Sequence, residues 1–287
     1  MKLGLILEGG AMRGMFTAGV IDVMMEHGIE IDGIIGVSAG AAFGCNYKSN
    51  QPGRVIRYTT KYSKHPKYCG FGSLIKTGNF YGADFCYHEI PEKLDLFDED
   101  TFCKSPTEFY VTCTDVETGE AIYHKCEATM DGNIDWIRAS ASLPLVSRIV
   151  TVDGKKLLDG SISDSIPLKY FQSIGYKRNI VILTRPKGYT KEKNKILPLM
   201  KLVLGKYPKL IEVIKNRHFI YNKTLDYIWE TESRGETLVI YPSEPLPIER
   251  TEREPDKLRA VYEIGRKIGL EYIDDIKQFI ENTKSIS

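Results

Sequence analysis

The 287-residue chain has no apolar run near the roughly 20 residues that a membrane span requires. The longest candidate, Ile196 to Leu204, is interrupted by Pro198 and Lys201. No export signal is expected at the start of this sequence, because after Lys2 only Leu3-Gly4-Leu5-Ile6-Leu7 precedes Glu8. Six cysteines contain no C-x-x-C pair and no histidine partner at zinc spacing, so no zinc module is expected. Reduced thiols and a soluble cytoplasmic protein follow as the expectation, with contact at a membrane surface left open. Net charge is only +1, so nothing draws the whole chain toward nucleic acid, and none is expected as a partner. Internal repeats and low-complexity tracts are absent. Histidine is scarce in the places where catalysis would need it. Only His218 lies late in the chain, within a Lys-rich helical region rather than in a loop after a strand.

Against these absences stands one stretch, Gly36-Val37-Ser38-Ala39-Gly40. An apolar strand-like segment, Gly33-Ile34-Ile35, precedes it, and small residues open a helix after it. Gly-x-Ser-x-Gly between strand and helix is a nucleophile elbow, a turn too sharp for side chains at the flanking positions. It presents the Ser38 hydroxyl at a helix N-terminus, where backbone N–H groups favour developing negative charge.

The chain is long enough for one large domain or two small ones, with 42% hydrophobic and 27% charged residues. Leu3 to Leu7 predicts a buried first strand, and Phe16, Val20, Val23 and Met24 are spaced as one helix face ended by Gly28. Strand, Gly-rich turn, helix and strand in succession predict a sheet that begins parallel. A helix is expected over 52–64, opened by Pro52, and 69–100 is expected to be a loop with short helices at a substrate entrance. Further strands are expected at Phe109–Thr114, Ala121–His124, Asn179–Leu183 and Leu238–Tyr241, with a hairpin around Asp153-Gly154. Short helices are expected at Asp135–Ser140 and Ile166–Gln172. Pro255 opens a C-terminal helix with Leu258, Val261, Tyr262, Ile264 and Ile268 on one face.

Serine acylation needs a nucleophile, a proton acceptor and donors for the oxyanion. Ser38 supplies the first. The turn Gly9-Gly10-Ala11 is the natural source of donors, since strand one and the elbow strand should be neighbours with both turns at one carboxyl edge. A competing reading makes this turn a dinucleotide-binding loop, with Glu30 or Asp32 near the acidic position. Ala11 opposes it, standing where the central glycine must approach a pyrophosphate. For the proton acceptor, Asp159-Gly160-Ser161 follows the apolar Leu157-Leu158, although Asp-Gly alone is a common turn.

Four blocks in order resemble the patatin-like phospholipases of bacteria: Glu8-Gly9-Gly10-Ala11-Met12-Arg13-Gly14, Gly36-Val37-Ser38-Ala39-Gly40, Ala139-Ser140-Ala141-Ser142-Leu143-Pro144 and Asp159-Gly160-Ser161. Arg253-Glu254-Pro255 before a helix is also similar. The resemblance implies a three-layer α/β/α sandwich with a mostly parallel central sheet. It implies a Ser-Asp dyad without histidine: Ser38 attacks an ester carbonyl, Asp159 takes its proton, and Gly9, Gly10 and Ala11 hold the oxyanion. Arg13, Gly14, Gly36, Gly40 and Gly160 support the motifs. Arg13 has two readings, a lipid phosphate ligand or the partner of a buried carboxylate. Two residues depart from the family pattern, Ala11 for a third glycine and Ser161 after Asp-Gly.

The expected domain plan is one catalytic domain over 1–287, with a Lys-rich helical insertion or lid at 187–231 and the C-terminal helix at 255–281. Between Lys187 and Arg217 nine cations oppose only Glu192 and Glu212, with Leu199, Leu202, Val203, Leu210, Ile211 and Ile214 interleaved. This reads as a solvated helical face or as a docking surface for anionic lipid. The expected function is hydrolysis of phospholipid or lysophospholipid esters without metal or organic cofactor. A thioesterase, an acyl transferase or an idle acyl-lipid-binding regulator are the alternatives, and the sequence sets no oligomeric state.

Overall fold

Strand β1 (Leu3–Leu7) is buried at every position, and its side chains divide between two cores. The computed structural model describes residues 1–128 and 132–285. Leu3, Leu5 and Leu7 join one core, and Ile6 joins the other. Both faces of the strand are therefore covered, which explains a continuous apolar run where a half-solvated strand would alternate.

The chain passes through the Gly9-Gly10 turn into α1 (Gly14–Glu26), then β2 (Gly33–Val37) and α2 (Ala39–Lys48), which starts at the residue after Ser38. Helix α3 (Arg54–Tyr62) follows; Pro52 lies in the turn before it, because left-handed Gly53 (φ 74°) forms its N-cap. The aromatic-rich stretch then forms α4 (Phe71–Thr77), a π-type helix over Phe85–Leu94, and α5 (Glu99–Lys104). Next come β3 (Glu108–Asp115), β4 (Ala121–Lys125), α6 (Asn133–Ser140), β5 (Val150–Val152) and β6 (Lys155–Asp159). The chain continues through α7 (Leu168–Ser173), β7 (Arg178–Ile182), α8 (Leu197–Leu204), α9 (Pro208–Ser233), β8 (Thr237–Ile240) and α10 (Pro255–Ser285).

Among the described residues the strands form one eight-stranded sheet in the order β5-β6-β3-β2-β1-β7-β8, with β4 also on β3. Strands β3, β2, β1, β7 and β8 run parallel, so their carboxyl ends share one edge. One face packs on α1, α2 and α10 through residues such as Phe16, Phe43 and Val261. The other packs on α7 and α9 through Phe171, Tyr221, Leu225 and Ile228. The result is the expected α/β/α sandwich with a mostly parallel sheet.

Two features differ from the periodicity. The Lys-rich stretch forms two separate helices, α8 and α9, and α9 packs beside α7 on one face of the sheet. In α10 the deepest seam is made by glycine rather than by Ile264 and Ile268. A Cβ on Gly265 would lie 2.1 Å from the Phe16 carbonyl oxygen, so α10 and α1 meet backbone to backbone.

Candidate active site

Strand β3 brings the two predicted site residues together. Its residues 110–114 pair along one edge with β4, so β2 and β6 must share the other edge. There Val37 pairs with Thr112 and Asp159 pairs with the next residue, Cys113. Strand β6 thus begins to pair where β2 stops, and Asp159, the last residue of β6, lies beside the turn that carries Ser38.

Ser38 has φ 56° and ψ −123°, a conformation that crowds any residue with a Cβ. The surroundings force it. A Cβ on Gly36 would fall 2.5 Å from the Gly40 carbonyl oxygen, and one on Gly40 would fall 2.4 Å from that of Leu7. The Ser38 amide donates to Ser140 Oγ at 3.0 Å, and that hydroxyl donates to the Thr112 carbonyl at 2.7 Å. The third sequence block therefore braces the elbow, a role its residue types did not announce. It also braces the acid, since the Asp159 amide donates to the Ser142 carbonyl at 2.8 Å.

Asp159 is fully buried, and its Oδ1 accepts the Ser161 amide at 2.8 Å. Burial raises its pKa; the Ser38 hydroxyl, Ser161 and the Arg217 cation oppose the rise. Ser38 is thus near enough to favour the carboxylate, yet Oδ2 has no partner within hydrogen-bonding distance among the described residues. Such loose contacts are common in sites without substrate and tighten during reaction.

The turn after β1 completes the convergence. A Cβ on Gly9 would sit 3.1 Å from that of Ser38, so this backbone lies directly against the serine. Among the described residues the amides of Gly9, Gly10 and Ala11 donate to no protein acceptor. Ala11 adopts φ 49°, so the small residue in place of glycine keeps the turn at the expense of backbone strain. Gly14 packs α1 on α2, where its Cβ would be 2.9 Å from that of Ala39, and Gly160 lies against the Thr112 carbonyl.

Glu8 anchors the same turn. Its carboxylate, 2% exposed, accepts from the Thr184 amide at 2.6 Å, the Thr184 hydroxyl at 3.0 Å and the Tyr221 hydroxyl at 2.6 Å. Tyr221→Phe should therefore destabilise the fold by about 1.5–3 kcal/mol, the usual worth of a buried hydrogen bond to a charged group. Urea unfolding measures this; an unchanged midpoint would show that water takes over the bond.

Arg13 is buried but forms no ion pair within 4.0 Å among the described residues, and its Nε has no hydrogen-bond partner. Burial pushes its guanidinium down to about 10, with Glu8 opposing and Arg185 and Arg250 adding. Glu8 is the carboxylate that acts on Arg13, and Arg13 lies behind the residues that line the cavity below rather than among them.

Ser38 opens into a cavity of about 640 Å³, within the range of ligand sites. Phe80, Tyr87 and Ile90 come from the expected entrance region and Tyr68 from just before it, Leu143 and Pro144 from the third block, and Met200 and Ile214 from α8 and α9. Arg217, Lys191 and Arg250 also reach it. Arg217 donates from Nη2 to Ser161 Oγ at 2.9 Å and from Nε to the Ser161 carbonyl. Ser161, the second departure, thus supplies the hydroxyl that holds Arg217 beside Asp159. Sequence reading left Arg217 on a solvated helical face or on a lipid-docking surface. The signal was nevertheless present, because Leu210, Ile214, Arg217, Tyr221 and Leu225 form one helical stripe and a cation interrupts it. Among the described residues no group of three or more His, Cys, Asp or Glu side chains could hold a metal ion, and no helix is long and apolar enough to cross a membrane.

Comparisons with known proteins bear on this site. A family model described as a patatin-like phospholipase matches residues 5–171, and one described as a domain of unknown function (DUF6363) matches 207–281. The chain is 28% identical over 293 residues to the uncharacterized protein YjjU of Escherichia coli K12, covering 97% of this chain and 79% of that protein. It is 28% identical over 184 residues to lysophospholipase nte1 of Aspergillus niger, covering 61% of this chain but 11% of that longer protein. Among solved structures, VipD from Legionella pneumophila superposes with a TM-score of 0.49 at 10% identity, over 96% of this chain and 67% of that one. The type III effector ExoU superposes with a TM-score of 0.39 at 12% identity, over 95% and 53%. With more than half of its length matching that family model, the chain belongs to the patatin-like phospholipases, a family of lipid ester hydrolases.

Proposed function

We propose that the protein hydrolyses carboxylic esters of phospholipids or lysophospholipids through an acyl-enzyme on Ser38, with Asp159 as the base. The observation that carries this reading is the register of β3, which sets Asp159 beside the elbow at the end of an apolar cavity. Ser38 Oγ attacks the ester carbonyl carbon, its proton passes to Asp159, and the carbonyl electron pair moves onto oxygen. The amides of Gly9, Gly10 and Ala11 hold that oxyanion; one such donor is typically worth about 3–4 kcal/mol. Collapse breaks the bond to the alcohol, which takes the proton back from Asp159. Water then attacks the acyl-enzyme by the same steps, releasing the fatty acid and free Ser38.

An ordinary aspartate, with a pKa of about 3.9, is a weak base toward serine. Burial of Asp159 raises its basicity, and a dry site strengthens every charge in it. A thioesterase or acyl transferase would use the same groups, whereas a lipid-binding regulator would use none of them. A fluorophosphonate probe should label wild type at Ser38 and leave Ser38→Ala unlabelled. Absence of labelling together with absence of ester cleavage would favour the regulator.

The membrane partner belongs to α8. Ile196, Leu199, Leu202 and Val203 face solvent, Leu202 at 82% exposure, and Lys195, Lys201 and Lys206 surround them. Met200 of the same helix lines the cavity. An exposed apolar face ringed by lysines fits the surface of an anionic bilayer. Replacing Leu199 and Leu202 together by Glu should lower partitioning to phosphatidylserine vesicles more than about tenfold, since each buried leucine contributes about 1.5–3 kcal/mol. Sedimentation with vesicles measures it, and equal binding by the variant rules out this face.

A further inference from the structure

The cavity carries a second chemistry beside the ester site. Lys191, Arg217 and Arg250 line it, and buried Arg13 belongs to the same cluster, close enough that Arg250 acts on its charge. Among the described residues none of these four cations forms an ion pair within 4.0 Å. Glu8 is the carboxylate that acts on Arg13, Lys191 and Arg217. Both of its oxygens are already engaged by Thr184 and Tyr221. Asp159 offsets Arg217 alone. The cavity wall is therefore rich in cations that lack a counterion.

Two aromatic faces beside these cations are also taken. Lys191 Nζ lies 4.1 Å from the centre of the Tyr221 ring, and the Arg185 guanidinium lies 4.6 Å from that of Tyr189. Glu192 also lines the cavity, but its carboxylate pairs with Lys195 at 3.4 Å, so an ammonium at this cluster would meet cations and, among the described residues, no unpaired carboxylate. A phosphate monoester carries about −1.5 to −2 charge at neutral pH and three acceptor oxygens, and so matches several cations at once.

We infer that Lys191 and Arg250, backed by Arg217 and Arg13, form a subsite for a phosphate monoester on the substrate, so that the protein prefers acyl lipids ending in a bare phosphate to those capped by choline. This rests on the ester-hydrolase reading above. The state of Lys191 agrees with it. Burial and then Arg217 push its ammonium down to about 7, with Arg250 and Arg13 adding and Glu8 opposing. An arriving dianion relieves that repulsion.

The test measures kcat/KM of the full chain for oleoyl lysophosphatidate, oleoyl lysophosphatidylcholine, monooleoylglycerol and oleoyl-CoA. Lysophosphatidate should exceed the choline lipid by at least about tenfold, the scale of one charge-assisted hydrogen bond. The ratio of lysophosphatidate to monooleoylglycerol should fall by about tenfold in Lys191→Gln and in Arg250→Gln, with Lys191→Arg retaining more of it. Equal rates for the phosphate and choline lipids, or a ratio that neither variant moves, overturn the subsite. A preference for oleoyl-CoA that is lost in both variants keeps the subsite's chemistry and overturns the lipid as the source of the phosphate. If wild type cleaves no ester, the hydrolase reading fails by itself. The subsite is then read by melting: millimolar glycerol 3-phosphate should raise the Tm of wild type more than that of Lys191→Gln, and equal shifts overturn it.

Discussion

Ser38→Ala should lower kcat for ester hydrolysis by at least about 10⁴-fold, as loss of the nucleophile does in enzymes where one side chain forms the covalent intermediate. The variant should remain folded, because the elbow is held by parts that the hydroxyl does not touch. Those parts are the Gly36 and Gly40 contacts and the bond from the residue 38 amide to Ser140. Alanine retains the Cβ, and with it the strain of φ 56°. Ser38→Gly removes both, so it should melt higher than Ser38→Ala, by the few degrees that relief of about 1 kcal/mol provides. Two measurements suffice, steady-state hydrolysis of a short-chain ester and thermal melting of the three proteins. Substantial hydrolysis by Ser38→Ala would remove the proposed mechanism, and a lower Tm for the glycine variant would remove the claim of strain.

Asp159→Asn is the second large effect. The amide cannot take the serine proton, so kcat should fall by about 10²–10⁴-fold, the usual contribution of a general base. The same change should not destabilise the protein. Burial raises the pKa of Asp159 in the folded state above its unfolded value, so the native state holds this proton more tightly. The stability associated with that proton is present at low pH and is lost as pH rises through the folded pKa. At neutral pH the buried carboxylate therefore costs stability, and Asn removes the charge while keeping an oxygen for the Ser161 amide. A Tm for Asp159→Asn at or above that of wild type is expected, an exchange of stability for activity familiar at active sites.

The pH profile carries the same sign. Activity needs ionised Asp159, so kcat should rise with pH along a limb that lies above the ordinary carboxylate range. The Arg217 cation lowers that pKa, so Arg217→Met should move the limb to higher pH while also weakening the hold on Ser161. A limb that stays in place would mean that Asp159 is not the group being titrated.

Much of the site was legible because its constraints are local. Gly36 and Gly40 are needed within a single turn, and the first Gly-rich loop follows its strand directly, so the residues themselves carry the information. Arg217 shows where this ends. By composition it is one more cation in a Lys-rich run, and only the surrounding stripe from Leu210 to Leu225 says that this face is buried. Lys191 is similar: nothing adjacent to it in sequence tells that Glu8 is already occupied by Thr184 and Tyr221. The glycine seam between α1 and α10 was hidden for another reason, since hydropathy counts apolar side chains and takes no account of a missing one.

The sequence by itself determined the order of strands and helices, the sharp bend at Ser38 and the small residues on either side of it. These depend on interactions within a few positions, which a linear pattern can record. Only the tertiary structure decided that Asp159 lies beside the turn that carries Ser38, because that placement depends on β2 and β6 sharing one edge of β3 across more than a hundred intervening residues. It alone also decided which cations of the Lys-rich region turn inward, since the side that a helix buries is set by the sheet against which it packs.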